Sequence, residues 1–377
     1  MSSLPATMAP RAFPLPTWLT DMLSWDGKSD ISRVLNTAFV DANYLDWIKN
    51  LKERADPALQ RRCIRALRKT CGLHGILPSS YEVTRPLSKP GPRAFASGGF
   101  SDVWKLTDTR DDSVVFAVKT LRVYEQDPAD KINKKYCKEV VVCKRASHPN
   151  ILSIEGVAPK AFEFCMVSRW MEHGDILAYV RRYPGVNRLD LLIGVTRGLD
   201  YLHLSEVVHG DLKSPNILID KGGIPRLSDF GLCSITKNID TVNASTPNHG
   251  CTVRYCAPEL LDADGTARPE KKKPTNKSDV YSLSMVVVEL VIGEMPFRGI
   301  SDPTVTVMVS RGERPPKPRQ FDAPGISPAV WKVAKTCWHK KAERRPEAKE
   351  VLRDLEKIAN PGVCNHKACT CSPWELI

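Results

Sequence analysis

Two stretches concentrate groups that could do chemistry: Val208-His209-Gly210-Asp211-Leu212-Lys213-Ser214-Pro215-Asn216-Ile217-Leu218-Ile219, and Leu227-Ser228-Asp229-Phe230-Gly231. Two carboxylates, an amide and an ammonium thus fall in loops beside short apolar runs. Metal-assisted phosphoryl transfer needs hard oxygen ligands for a divalent cation, a carboxylate facing an acceptor hydroxyl, and positive charge near the transferred phosphate. Upstream, Ala96-Ser97-Gly98-Gly99-Phe100-Ser101-Asp102-Val103 has the pattern of a strand, a glycine turn and a strand. Backbone amides can approach an anion closely there because glycine has no side chain in the way, although a tight hairpin gives the same pattern. Lys119 ends the apolar run Phe116-Ala117-Val118-Lys119. A lysine desolvated at that position needs an anionic partner. Glu139, on the helical stretch that follows, is the natural carboxylate, and the joint task of the pair would be to hold nucleotide phosphates. The alternative is an ordinary surface Lys and Glu.

The elements that must position these groups follow from hydrophobic periodicity. Residues 1–30 are Pro-rich without a sustained period and read as a flexible arm. Residues 31–82 read as a helical segment: Ile31, Val34, Leu35 and Ala38, then Leu45, Ile48 and Leu51, recur at helical spacing. A second helix follows the Asp56-Pro57 start signal and is closed by Gly72 and Leu77-Pro78-Ser79-Ser80. Strands are expected at 103–106, 114–120 and 162–167, with one helix at 134–145 between them. After Gly174 the periods are almost all helical: 189–204, 280–292, 330–338 and 351–358. A strand-rich unit feeding a helix-rich unit predicts an α+β, two-lobed chain.

Composition bounds the reading. With 377 residues, 42% hydrophobic and 26% charged, the chain is long enough for two packed units, and collagen-like, wholly disordered and coiled-coil classes are excluded. The richest apolar stretch, Met285 to Ile292, is short and contains Glu289, so no membrane span is expected. The N-terminus lacks a secretory signal pattern, which makes a reducing, cytoplasmic or nuclear setting the expectation. Cys137, Cys143, Cys165 and Cys337 sit singly in apolar runs and read as buried hydrophobes rather than disulfide partners. The net charge of +12 is scattered among acidic neighbours, as in Lys340-Lys341-Ala342-Glu343-Arg344-Arg345, and no nucleic-acid partner is expected. The tail Cys364-Asn365-His366-Lys367-Ala368-Cys369-Thr370-Cys371 holds soft ligands at a spacing that fits no common zinc module, and residues 359–377 read as a disordered tail.

Taken together, these motifs and their spacing resemble the signature set of eukaryotic protein kinases. The similarity runs over about 84–358, with 84–172 as the N-lobe and 173–358 as the C-lobe. The resemblance implies a two-lobed kinase fold, a small antiparallel β-rich lobe with one helix and a larger helical lobe, behind the helical segment. It also implies ATP and Mg²⁺ as cofactors and protein substrates with Ser/Thr acceptors. Lys119 would contact the α- and β-phosphates and pair with Glu139; Asp211 would accept the substrate hydroxyl proton; Lys213 would steady the γ-phosphate; Asn216 and Asp229 would hold Mg²⁺. Ser97, Gly98, Gly99, Phe100, Val103, Ala117, Ser168, Arg169, Met171, Asp175 and Leu218 would complete the nucleotide site, Ser168 as gatekeeper ahead of the hinge. Ala257-Pro258-Glu259 resembles the end of an activation segment, with Arg345 as partner of Glu259, and Asp279 resembles the aspartate that anchors the catalytic loop.

Lys213 after Asp211, and Thr252 in Cys251-Thr252-Val253-Arg254-Tyr255, are similar to the serine/threonine type. The run Gly98 to Trp104, the His209-Gly210-Asp211 variant and Ser278-Asp279-Val280-Tyr281-Ser282 resemble the tyrosine-kinase-like group, especially forms expanded in mushroom-type fungi. Ala96 and Ser101 replace two glycines of the phosphate loop, and Gly210 stands where most kinases have an Arg that reads activation-loop phosphate, so activity is expected to depend weakly on phosphorylation at Ser245 or Thr246. A scaffold that binds without transferring phosphate is the rival reading. A third assigns the biological work to the N-terminal helices.

Overall fold

The computed structural model describes residues 57–88, 91–98, 101–123, 129–230, 252–261 and 273–361. The expected arm, the helix at 31–54, Gly99, Phe100, Ser245, Thr246 and the cysteine tail beyond 361 lie outside the described residues.

The first unit runs α1 (Pro57–His74), β1 (Ala96–Ser97), β2 (Ser101–Asp108), β3 (Asp111–Leu121), α2 (Ala129–Arg145), β4 (Ile154–Gly156) and β5 (Cys165–Arg169). Its strands form one antiparallel sheet in the order β1-β2-β3-β5-β4. β3 shows why the sheet positions a site: Phe116, Val118 and Thr120 are buried, while Ala117 and Lys119 occupy the other face by the two-residue period of a strand. Phe116 and Val118 pack with Leu106, Ala158, Cys165 and Val167 on the covered face. The third strand is β5 at Cys165–Arg169, later than the expected 162–167. Phe162 lies instead in a turn, its N–H donating to Ala158 O at 3.1 Å, and its ring lies beside Trp104 rather than in the ladder.

α1 is seated on α2 through the buried Leu67, Thr70 and Cys71. Gly72 does not end it, contrary to the expectation from the sequence. It lies inside the helix, because a Cβ there would fall 2.1 Å from Lys138 Cε and the lysine stem occupies that space. The end comes at Gly75, in the left-handed region at φ 67, whose carbonyl accepts a hydrogen bond from Asn133 Nδ2 of α2 at 2.8 Å.

The second unit is helical: α3 (Ile176–Arg182), α4 (Arg188–Leu204), the hairpin β6 (Ile217–Ile219) and β7 (Pro225–Leu227), α5 (Asn276–Ile292), α6 (Asp302–Arg311), α7 (Pro328–Cys337) and α8 (Ala348–Ala359). α5 is buried on nearly every side, as a helix that is apolar all round must be. Its start is fixed by a reciprocal cap: Thr275 Oγ1 accepts the Ser278 N–H at 3.2 Å and Ser278 Oγ accepts the Thr275 N–H at 2.9 Å. Cys137, Cys143, Cys165 and Cys337 are free and buried, as the sequence suggests. Among the described residues no helix is long and apolar enough to cross a membrane.

Candidate active site

The catalytic loop is the segment between α4 and β6, and α5 holds it from below. The buried Asp279 carboxylate accepts the backbone N–H of His209 at 2.8 Å and of Gly210 at 2.9 Å, and its Oδ2 also lies 3.0 Å from His203 Nε2. Gly210 sits at φ 79, a conformation that side chains rarely adopt, and two charge-assisted bonds hold the turn that delivers Asp211. Burial pulls the His209 imidazole below its ordinary range, with the neighbouring carboxylates of Asp279, Asp211 and Asp229 opposing.

Four expected groups converge at the end of this loop. Asp211 Oδ2 is 2.7 Å from Lys213 Nζ. Asn216 Nδ2 donates to Asp211 O at 2.8 Å and to Asp211 Oδ2 at 3.2 Å. Lys213 Nζ donates to Thr252 Oγ1 at 2.8 Å, and Thr252 Oγ1 is 3.4 Å from Asp211 Oδ1. Asn216 precedes β6 and Asp229 follows β7. The pairing of Ile217 with Leu227, and the Ser228 N–H donating to Asn216 O at 2.8 Å, bring the backbone segments that carry Asn216 and Asp229 together.

The sheet supplies the other wall. Val103 is opposite Lys119 in the β2–β3 register, and Ala117 is opposite Ser168 of β5. Ser97 and Gly98 form the described part of the turn above, where the Gly98 N–H donates to Ser101 O at 2.8 Å. Leu218 is half-buried between the fully buried Ile217 and Ile219 and bridges to Asp175. Asp175 Oδ1 caps α3, accepting the N–H groups of Leu177 at 3.0 Å and Ala178 at 2.9 Å. Arg169 pairs with Glu155 at 3.0 Å, and with Trp170 and Met171 it lines a cavity of about 840 Å³ beside the hinge. That cavity contains none of Lys119, Asp211 or Asp229; the site is marked by the convergence of charged groups.

One expected pairing is not formed. Lys119 Nζ lies 2.5 Å from Asp229 Oδ2, not on Glu139, and Glu139 pairs with Arg68 of α1 at 3.2 Å. The reason is positional: Asp229, at φ 62, presents its carboxylate to Lys119 of β3, and α1, packed on α2, brings a guanidinium to Glu139. Sequence reasoning missed Arg68 because nothing in a helical period announces a contact across so many residues. It also missed Glu289 of α5, whose Oε2 accepts from Ser214 Oγ and, at 2.9 Å, from Tyr255 Oη. Burial raises the Glu289 carboxyl, opposed by those two hydroxyls. A lone carboxylate in the apolar run Met285 to Ile292 was the available signal, since a buried acid must find donors.

The activation-segment end matches its expected partner. Arg345 forks onto Glu259 with both bonds at 2.6 Å. With this geometry in place, comparison with known proteins becomes informative. Residues 92–355 match the sequence profile of the protein tyrosine and serine/threonine kinase family. The chain belongs to the protein kinase family. It is 27% identical to serine/threonine-protein kinase STY46 of Arabidopsis thaliana over 70% of this chain and 43% of that protein. It is 29% identical to the serine/threonine/tyrosine-protein kinase HT1 of the same plant over 70% of this chain and 64% of that one, and 30% identical to human ephrin type-A receptor 5 over 71% and 25%. The chain therefore spans less than two thirds of the length of these relatives.

Proposed function

We propose that the chain is an ATP-dependent protein kinase that transfers the γ-phosphate to Ser and Thr hydroxyls of protein substrates. The observation that carries this reading is the cluster of Asp211, Lys213, Asn216 and Thr252 on a loop anchored by Asp279. Asp211 is placed to take the proton of an acceptor hydroxyl, and Lys213, held between Asp211 and Thr252, to face the phosphate in flight. The Thr252 contact favours the serine/threonine type, as does the name of STY46, while that of HT1 includes tyrosine as well.

The donor set fits a hard divalent cation. Asn216 spends its Nδ2 on Asp211, leaving the amide oxygen as the ligating atom, and the Asp229 carboxylate supplies the second ligand. Bound there, Mg²⁺ supplies positive charge against the phosphates. With nucleotide bound, Lys119 would exchange Asp229 for the α- and β-phosphates, Ser97, Gly98, Gly99 and Phe100 would be the residues to cover them, and Val103, Ala117, Ser168, Arg169, Met171, Asp175 and Leu218 would hold the rest of the nucleotide. A cytoplasmic or nuclear location accords with this reading. The test is transfer from labelled ATP to a general acceptor protein, with and without EDTA, followed by phosphoamino-acid analysis. Label on Ser or Thr that vanishes with EDTA and returns with Mg²⁺ is expected; label on Tyr alone, or none, overturns the reading.

A further inference from the structure

The fold gathers positive charge that is dispersed along the sequence. α1 carries five Lys and Arg and no acidic residue, and α2 carries six against Asp130 and Glu139, so these two helices hold a net +9 of the chain's +12. Several of the cations are engaged within the fold. Arg65 pairs with Glu206 and Arg68 with Glu139, Lys144 donates to Glu155 O at 2.5 Å, and Arg145 donates to Tyr81 Oη at 3.0 Å. Other lysines stay outward. Lys69, Lys131 and Lys138 are exposed and make no ion pair among the described residues, and Lys134 pairs with Asp130 one turn away.

Spacing puts these lysines on one surface. Lys131, Lys134 and Lys138 recur at helical intervals along α2, away from the buried Tyr136 and Val140. Arg65, Lys69 and Leu73 recur in the same way along α1, away from the buried Leu67 and Cys71. The two stripes meet where the helices touch: Gly72 leaves the room that the Lys138 stem fills, and a Cβ on Gly75 would lie 3.7 Å from Lys134 Cγ. Leu73, 54% exposed, ends the α1 stripe.

We propose that this face of α1 and α2 binds the surface of an anionic lipid bilayer, peripherally and through charge. Lysine ammonium groups on flexible stems suit a diffuse layer of negative headgroups, whereas the planar fork of arginine suits a single carboxylate or phosphate. Arg65 and Arg68 already have carboxylate partners inside the fold. Single-stranded nucleic acid asks for aromatic platforms, and the one Phe, Tyr or Trp of the two helices, Tyr136, is buried. Exposed Leu73 at the edge of the basic stripe is the apolar contact that a headgroup boundary accepts. None of these lysines belongs to the proposed nucleotide site.

The experiment sediments the full chain with vesicles of phosphatidylcholine alone, and of about one part phosphatidylglycerol to two parts phosphatidylcholine, in about 0.1 M and about 1 M salt, where screening lengths are about 10 and 3 Å. The chain should sediment with the anionic vesicles at the lower salt and be released at the higher. The triple variant Lys69→Gln, Lys131→Gln, Lys138→Gln should weaken partitioning at least about 30-fold, since each cation near such a surface contributes about fivefold. A matched triple in the C-lobe at exposed lysines, Lys332→Gln, Lys335→Gln, Lys340→Gln, should stay within about threefold of wild type, which separates the face from overall charge. Melting temperatures of both triples establish that they fold. In the wild type, which needs no variant to fold, anionic vesicles should slow acetylation of Lys69, Lys131 and Lys138 relative to Lys332 and Lys335. Equal sedimentation with phosphatidylcholine alone, binding insensitive to salt, equal loss in the two triples, or unchanged acetylation each overturns the proposal. Binding of poly-L-glutamate or single-stranded RNA that is lost in the first triple, with no binding to anionic vesicles, also overturns it and assigns the face to an acidic protein or to nucleic acid.

Discussion

Arg345 offers the sharpest test of how the C-lobe is held. Its side chain is 0% exposed, and every N–H donor of the guanidinium is used: Nε donates to His339 O at 2.9 Å, Nη1 to Glu259 Oε1 at 2.6 Å and Lys277 O at 3.0 Å, and Nη2 to Glu259 Oε2 at 2.6 Å and Lys340 O at 3.4 Å. Its guanidinium carbon also lies 5.2 Å from the Tyr281 ring centroid. Arg345→Met keeps much of the stem volume but strips three backbone carbonyls and a carboxylate of their donors at once. Breaking a buried pair from one side costs on the order of 3–5 kcal/mol. At roughly 2–4 °C per kcal/mol for a domain of this size, the melting temperature should fall by about 10 °C. Glu259 is 33% exposed, so Glu259→Gln leaves the guanidinium its carbonyls and lets water replace part of the loss; its cost is about 1–2 kcal/mol. Thermal and urea unfolding followed by circular dichroism measures both. A fall of under about 3 °C for Arg345→Met, or a larger fall for Glu259→Gln than for Arg345→Met, would refute the reasoning.

Two further outcomes follow from the same structure. Burial pulls the His148 imidazole down to about 4, with Arg197 pushing the same way, and its Nδ1 accepts the Asn150 N–H at 3.0 Å. The folded chain therefore resists a proton that the unfolded chain takes up: this contribution is complete above pH 6.5 and is lost as pH falls toward 4, by at most about 2 kcal/mol after solvent screening. His148→Gln should flatten the difference between urea midpoints at pH 7 and pH 4.5; an undiminished slope would count against the assignment. Ser168 is buried opposite Ala117 and Ile154, and in the proposed nucleotide site it is the small residue beside the adenine. Competitive ligands with bulky adenine-site substituents should displace nucleotide from the wild type at least about tenfold better than from Ser168→Met, and equal displacement would show that a neighbour fills the space.

Much of the fold was legible because strong periodicity survives burial. β3 alternates, α5 is apolar throughout, and the helix starts near 189, 330 and 351 each announce a packed face. Boundaries slipped where local chemistry is polar: α2 begins at Ala129 because its first turn, Ala129-Asp130-Lys131, is solvated, and apolar spacing starts only at Ile132. The individual groups of the site were legible because loops beside short strands concentrate them. Their pairing was not. Lys119 meets Asp229 while Glu139 meets Arg68 of α1, and a contact between α1 and α2 leaves no local pattern. Ser214 and Glu289 were hidden for a similar reason, since one lies in a motif read for its neighbours and the other inside an apolar helix.

The central claim is that Asp211 performs phosphate transfer on a loop held by Asp279. Its most direct test compares wild type with Asp211→Asn for transfer from labelled ATP with Mg²⁺, with MgADP affinity and melting temperature measured on the same samples. The account predicts that transfer falls by about 10²- to 10⁴-fold while affinity and melting temperature stay near wild type. Transfer that persists in Asp211→Asn, or a wild type that binds nucleotide and transfers nothing, would contradict it.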